Sequence, residues 1–127
     1  MKKNVLSIGI KKPVNIVFKF TVNPANTPKW IPSIVEERTR EPKVKVGSIY
    51  HQKLADGGSS ELVVTEFVEN KKLGFRLLDS EYTCSYRYEK IPTGTRMTYS
   101  EENGGSEIEN PMTMDNLLAL KNLIEKL

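Results

Sequence analysis

The stretch from Asn110 to Leu127 constrains this chain most, because its apolar residues spread over more surface than one isolated helix can hide. Met114, Leu117, Leu118, Leu120, Ile124 and Leu127 recur at helical spacing, with Leu123 at the edge of the stripe. Asp115, Asn116, Lys121, Asn122, Glu125 and Lys126 fill the polar side. Pro111 suits a first helical position, where a missing N–H is no loss, and Asn110 before it can cap the free amides of the first turn. The pattern predicts one long helix over 110–127. A face that wide needs a large partner surface.

The residues before it read as that surface. Asn4–Ile10 alternates Leu6, Ile8 and Ile10 against Val5, Ser7 and Gly9, which predicts a first strand with one buried face. Pro13 opens a two-turn amphipathic helix marked by Val14, Val17 and Phe18. It stops at Val22-Asn23-Pro24, since the residue before proline is pushed out of the helical region. Thr27 as cap, Pro28 as first residue and Pro32 as stop delimit a single helical turn carrying Trp30. Six further strands are expected at Ile34–Arg40, Ser48–Leu54, Leu62–Val68, Leu73–Leu78, Tyr82–Glu89 and Thr95–Glu101. Glycine, asparagine, aspartate and proline turn signals separate most of them. Such short links make consecutive antiparallel neighbours. The fold class is α+β, a seven-stranded curved antiparallel sheet around a long C-terminal helix, with two short helices after the first strand. It forms one domain over 1–127.

Alternation also assigns faces. Val63, Thr65 and Phe67 form the uncharged row of their strand, Glu66 lying on the other row with Leu62 and Val64. Leu73, Phe75 and Leu77 follow inward, then Tyr82, Cys84, Tyr86 and Tyr88, then Met97 and Tyr99 between Thr95 and Glu101. Arg76, Arg87 and Arg96 fall on outward rows, so an anionic ligand would enter unpaired. A neutral, mostly apolar ligand is the expectation. Tyr50, Gln52 and Leu54 make the better inward row of their strand and leave His51 outside.

This order of elements resembles a known family. The residues that carry the resemblance are Pro13–Phe18, Asn23–Pro32, Val46–Tyr50, Val64–Phe67, Lys72–Arg76, Gly94–Tyr99 and Leu120–Glu125. Together they are similar to the helix-grip fold of the START-like, or SRPBCC, superfamily, in its polyketide cyclase/dehydrase and lipid-transport branch. The resemblance implies a cavity between the sheet and the final helix for lipids, hormones, polyketides or aromatic compounds. It carries no catalytic motif, since only some members are enzymes. The expected lining is Trp30, Val63, Phe67, Phe75, Leu77, Tyr82, Tyr86, Met97 and Tyr99 from the sheet side, with Met114, Leu117 and Leu118 from the helix.

Other chemistries find little in the residues. One Cys and one His cannot build the common zinc sites, and no cofactor is expected. Cys84, inward and without a basic neighbour in sequence, reads as an inert hydrophobe. Glu36-Glu37 and Glu101-Glu102 are adjacent on strands and point to opposite faces, so neither pair forms a paired-carboxylate site. Glu101 reads as a solvated strand end, or, if it follows Tyr99, as a carboxylate at the cavity mouth. Gly57-Gly58 and Gly104-Gly105 lack the spacing of a phosphate loop. Up to Lys53 there are 11 Lys/Arg against 3 Glu, a balance of +8, and from Leu54 onward 8 against 13, or −5. That asymmetry suits an acidic partner, but without interleaved aromatics it does not suit nucleic acid. Asn4–Ile10 is too short and too quickly recharged for a signal peptide or membrane span, and the single cysteine points to the cytoplasm.

Three functions compete. The first is a binding or carrier protein for a small hydrophobic or aromatic molecule, with a homodimer possible and no stable membrane association. The second is a cyclase-, dehydratase- or hydrolase-type enzyme using tyrosine hydroxyls or Glu101 in the same cavity. The third is a protein-interaction module whose interior is filled.

Overall fold

A computed structural model describes residues 1–127. The elements are β1 (Lys3–Ile10), α1 (Val14–Val22), a 3-10 turn (Pro24–Lys29), β2 (Ile34–Thr39), β3 (Ile49–Leu54), β4 (Ser59–Val68), β5 (Lys72–Leu77), β6 (Tyr82–Ile91), β7 (Gly94–Asn103) and α2 (Met114–Glu125). All seven strands join one antiparallel sheet in the order β1-β7-β6-β5-β4-β3-β2. Strands β2 to β7 form a meander, as their short turns require, and β1 closes on β7 from the far end of the chain. Gly94 makes the β6–β7 turn beside the end of β1. Its φ is +143°, and a Cβ there would lie 2.2 Å from the Ile10 carbonyl oxygen, so only glycine fits.

The core sits between the inner face of this curled sheet and the helices. Ile10, Leu73, Met97, Leu117, Leu120 and Ile124 are fully buried within it. Helix α2 lies against β1 and α1. Lys121 Nζ donates to the Gly9 carbonyl at 3.0 Å, and the Lys11 amide donates to Glu125 Oε2 at 2.8 Å, which latches the helix to the end of β1.

Four local expectations need correction. Helix α2 starts at Met114, not at Pro111, and Thr113 caps it in place of Asn110. Thr113 Oγ1 accepts from the Asn116 amide while Asn116 Oδ1 accepts from the Thr113 amide, a reciprocal cap that the Asn-Pro pair cannot match. Asn110 is held at φ 51°, and the Met112 amide is drawn away to Glu101, so residues 109–112 run as a strap. Thr113→Ala should therefore cost about 1 kcal/mol in urea denaturation, and Asn110→Gly only a few tenths.

The second correction concerns the helix face. Leu117, Leu120 and Ile124 point inward, but Met114 and Leu118 are 40% and 44% exposed and line no interior. Third, β4 carries a bulge between Val64 and Glu66. Val64 pairs with Phe75 and Phe67 with Leu73, so Thr65 is the extra residue that flips the row. Leu62 and Val64 are buried instead of Val63, which belongs to the outer row, while Phe67 returns inward and Glu66 is exposed. Fourth, the 3-10 turn begins earlier than Thr27, because the Asn23 side chain accepts from the Ala25 amide and caps it there. Trp30 follows the turn and is buried.

Candidate functional site

A cavity of about 740 Å³ opens on the inner face of the sheet. Its floor comes from strands β2 to β7, and its cover from the 3-10 turn, residues 31–34 and the strap 109–112. Helix α2 contributes only Asn116, whose Nδ2 also donates to the Trp30 carbonyl at 3.2 Å. The space therefore lies beyond the helix N-terminus and not beneath its length. Leu117, Leu120 and Ile124, all fully buried, close the sheet under the body of the helix and leave no room there.

Of the twelve residues expected to line it, Phe75, Leu77, Tyr82, Tyr86 and Tyr99 border the cavity. Trp30, Met97 and Leu117 are buried in the solid core, and Trp30 meets Tyr86 edge-on at 6.4 Å, bracing the wall from behind. Phe67 packs edge-on against Phe18 at 5.5 Å and does not reach the space. Val63, Met114 and Leu118 lie outside for the reasons given above.

The polar groups are where sequence reasoning fell short. Glu101 is not a solvated strand end; it follows the parity of Tyr99, the other of its two readings, borders the cavity and is 3% exposed. Its carboxylate accepts from Asn4 Nδ2 at 2.9 Å, from the Met112 amide at 2.7 Å and from the Tyr82 hydroxyl at 2.7 Å. It thus joins β1, β6, β7 and the strap at one corner of the cavity. Glu37, expected only to point away from Glu36, is the member of that pair that faces the interior. The Thr27 hydroxyl donates to its Oε1 at 2.6 Å and Gln52 Nε2 to its Oε2 at 2.5 Å. The usable signal was pairing: Glu37 lies opposite Gln52, already assigned inward, while Glu36 turns out to Lys53.

Burial holds the Glu37 carboxyl above its ordinary value of 4.5, and the Gln52 and Thr27 hydrogen bonds only partly oppose it. A carboxyl raised in the folded state stabilises the fold below its unfolded value, and that contribution fades as pH rises through the folded value. Glu37→Gln should therefore flatten the fall in melting temperature between mildly acidic and neutral pH. Equal slopes for the two proteins would contradict this.

Burial also raises the phenols of Tyr50, Tyr82, Tyr86, Tyr88 and Tyr99, so each keeps its proton at neutral pH. Tyr50 donates to the Val22 carbonyl at 2.6 Å, Tyr88 pairs with the Thr21 hydroxyl at 2.5 Å, and Tyr82 lies 3.2 Å from the Tyr99 hydroxyl. Desolvation pushes the Cys84 thiol up to about 12, which leaves it un-ionised and a poor nucleophile. No three His, Cys, Asp or Glu side chains converge as a metal site, and no helix is long and apolar enough to cross a membrane.

Residues 1–125 match the model of the family described as polyketide cyclase/dehydrase and lipid transport. No curated protein matches the chain. Among solved structures, XoxI from Bacillus cereus superposes with a TM-score of 0.77 at 15% identity, covering 98% of this chain and 96% of that one. A protein from Nitrosomonas europaea gives 0.74 at 17% identity, covering 98% and 94%. The Aha1 dimer from Colwellia psychrerythraea gives 0.71 at 20% identity, covering 98% and 97%. At such identities the likeness concerns the fold.

Proposed function

The chain belongs to the polyketide cyclase/dehydrase and lipid-transport family, and from that premise we propose that it binds or carries a small, mostly apolar molecule in the cavity under the strap. The observation that supports this reading is the cavity itself: about 740 Å³, with leucine, isoleucine and aromatic side chains in its wall and uncharged or acidic polar groups between them. Its ligand has a largely neutral, apolar frame and no negative charge. None of the 25 lining residues is Lys, Arg or His, and Arg76, Arg87 and Arg96 are exposed on the outer face. An anion would lose its hydration there without gaining a partner.

Thermal-shift screening of neutral aromatic and aliphatic compounds tests the reading. A ligand present at 100 times its Kd adds about 2.7 kcal/mol to native stability, a rise of several degrees for a domain of this size. A panel in which no compound moves the melting temperature would count against it. Acid–base catalysis through Glu101 draws less support, because protein donors already occupy its oxygens, and so does a Cys84 nucleophile, because the thiol is un-ionised. The one free cysteine suits a reducing cytoplasm. The Colwellia neighbour is a dimer, which favours a homodimer here, and sedimentation analysis would check it.

A further inference from the structure

Three carboxylates, Glu37, Glu101 and Glu109, border the cavity, and no basic side chain does. None of the three pairs with a cation of the protein, whose ion pairs join other residues. Glu101 is engaged by three protein donors, and Glu109 is exposed. Glu37 differs from both. Each of its oxygens accepts one side-chain hydrogen bond, from Thr27 and from Gln52, and keeps further acceptor capacity. It looks inward, since it borders the cavity together with Thr27 and Gln52, the two residues that hold its oxygens.

Tyr86 supplies an independent observation. It is 8% exposed, yet its hydroxyl bonds to nothing in the protein, whereas Tyr50, Tyr82, Tyr88 and Tyr99 all have partners. No fully buried side-chain polar atom in the molecule lacks a partner, so the Tyr86 oxygen must touch the cavity space that this residue borders.

We propose that the cavity takes an apolar, ring-bearing molecule that carries a basic amine, with Glu37 as its counter-ion and the Tyr86 hydroxyl as its second polar contact. This rests on the carrier reading above and sharpens it. A carboxylate shielded from water without a cation and an ammonium shielded without an anion are each costly, and bringing them together relieves both. The aromatic rings of Phe75, Tyr86 and Tyr99 in the wall add cation–π attraction. A carboxylate on the same frame would meet three glutamates.

The test is calorimetric titration of the full chain at neutral pH with three probes on one frame: naphthylethylamine, naphthylethanol and naphthylacetate. The amine should bind about tenfold or more tighter than the alcohol, and the acetate should not bind. Glu37→Gln should bring the amine down to the level of the alcohol while leaving the alcohol's Kd within about twofold. Tyr86→Phe should weaken amine and alcohol alike by several-fold, and with the wild-type series it carries the test if Glu37→Gln fails to fold. Equal affinity of amine and alcohol in the wild type would overturn the amine assignment and leave the carrier reading standing. An amine preference that survives Glu37→Gln would overturn the role given to Glu37. No binding by any of the three overturns the proposal, and only a silent neutral panel beside it brings down the carrier reading as well.

Discussion

Glu101→Ala is expected to lower stability by about 3 kcal/mol or more, a large share of what a domain this size possesses. The side chain is 3% exposed and gathers donors from three separated parts of the chain: Asn4, Tyr82 and Met112. Removing it strands these donors in a place water reaches poorly, and hydrogen bonds to a charged group are the costly ones to lose. Asn4 keeps one bond, to the Met112 carbonyl at 2.9 Å, and Tyr82 keeps Tyr99, but the Met112 amide keeps nothing. Glu101→Gln should cost less, about 1 kcal/mol, because its oxygen can face Asn4 and Met112 while its NH₂ faces the Tyr82 hydroxyl, which can accept. Urea denaturation at neutral pH reads both. Equal and small losses for the two variants would show that this corner is not a junction.

Leu117→Ala and Leu118→Ala should differ sharply although the residues are neighbours. Leu117 is fully buried between α2 and the sheet, where truncation leaves a cavity that the packed surroundings cannot fill. A loss of about 2–5 kcal/mol is expected. Leu118 is 44% exposed, and its truncation should stay within about 0.5 kcal/mol. The contrast reports the rotation of α2 about its axis. Similar losses at both positions would mean that the helix presents a different face to the sheet.

Strand periodicity was legible because it is a local signal. From Tyr82 to Tyr88 every second residue is aromatic or sulfur-bearing, as are Met97 and Tyr99 in β7, and the observed burial of Tyr86, Tyr88, Met97 and Tyr99 follows that pattern. In β4 the same reasoning failed, since one bulged residue shifts the pattern and nothing in Val63-Val64-Thr65-Glu66 marks it. The helix start was misread for a similar reason. Asn110-Pro111 is a sound local cap, but Thr113–Asn116 is a better one, and the Met112 amide is claimed by a carboxylate remote in sequence.

The cavity follows the same division. Its phenols could be listed from alternation, and Glu101 as one of two readings of its strand, while the inward turn of the half-buried Glu37 could not. Composition treats a glutamate as a surface residue, and only cross-strand register places Glu37 beside Gln52 or Glu101 beside Tyr82 and Asn4. By itself, then, the order of residues determined the strands, their meander, the α+β class and the need for a covering helix, because each depends on periodicity over a few residues. Tertiary structure alone decided where the covering stops short, which side of α2 meets the sheet and which acids turn inward. Those outcomes depend on groups far apart in the chain competing for the same donors and the same space.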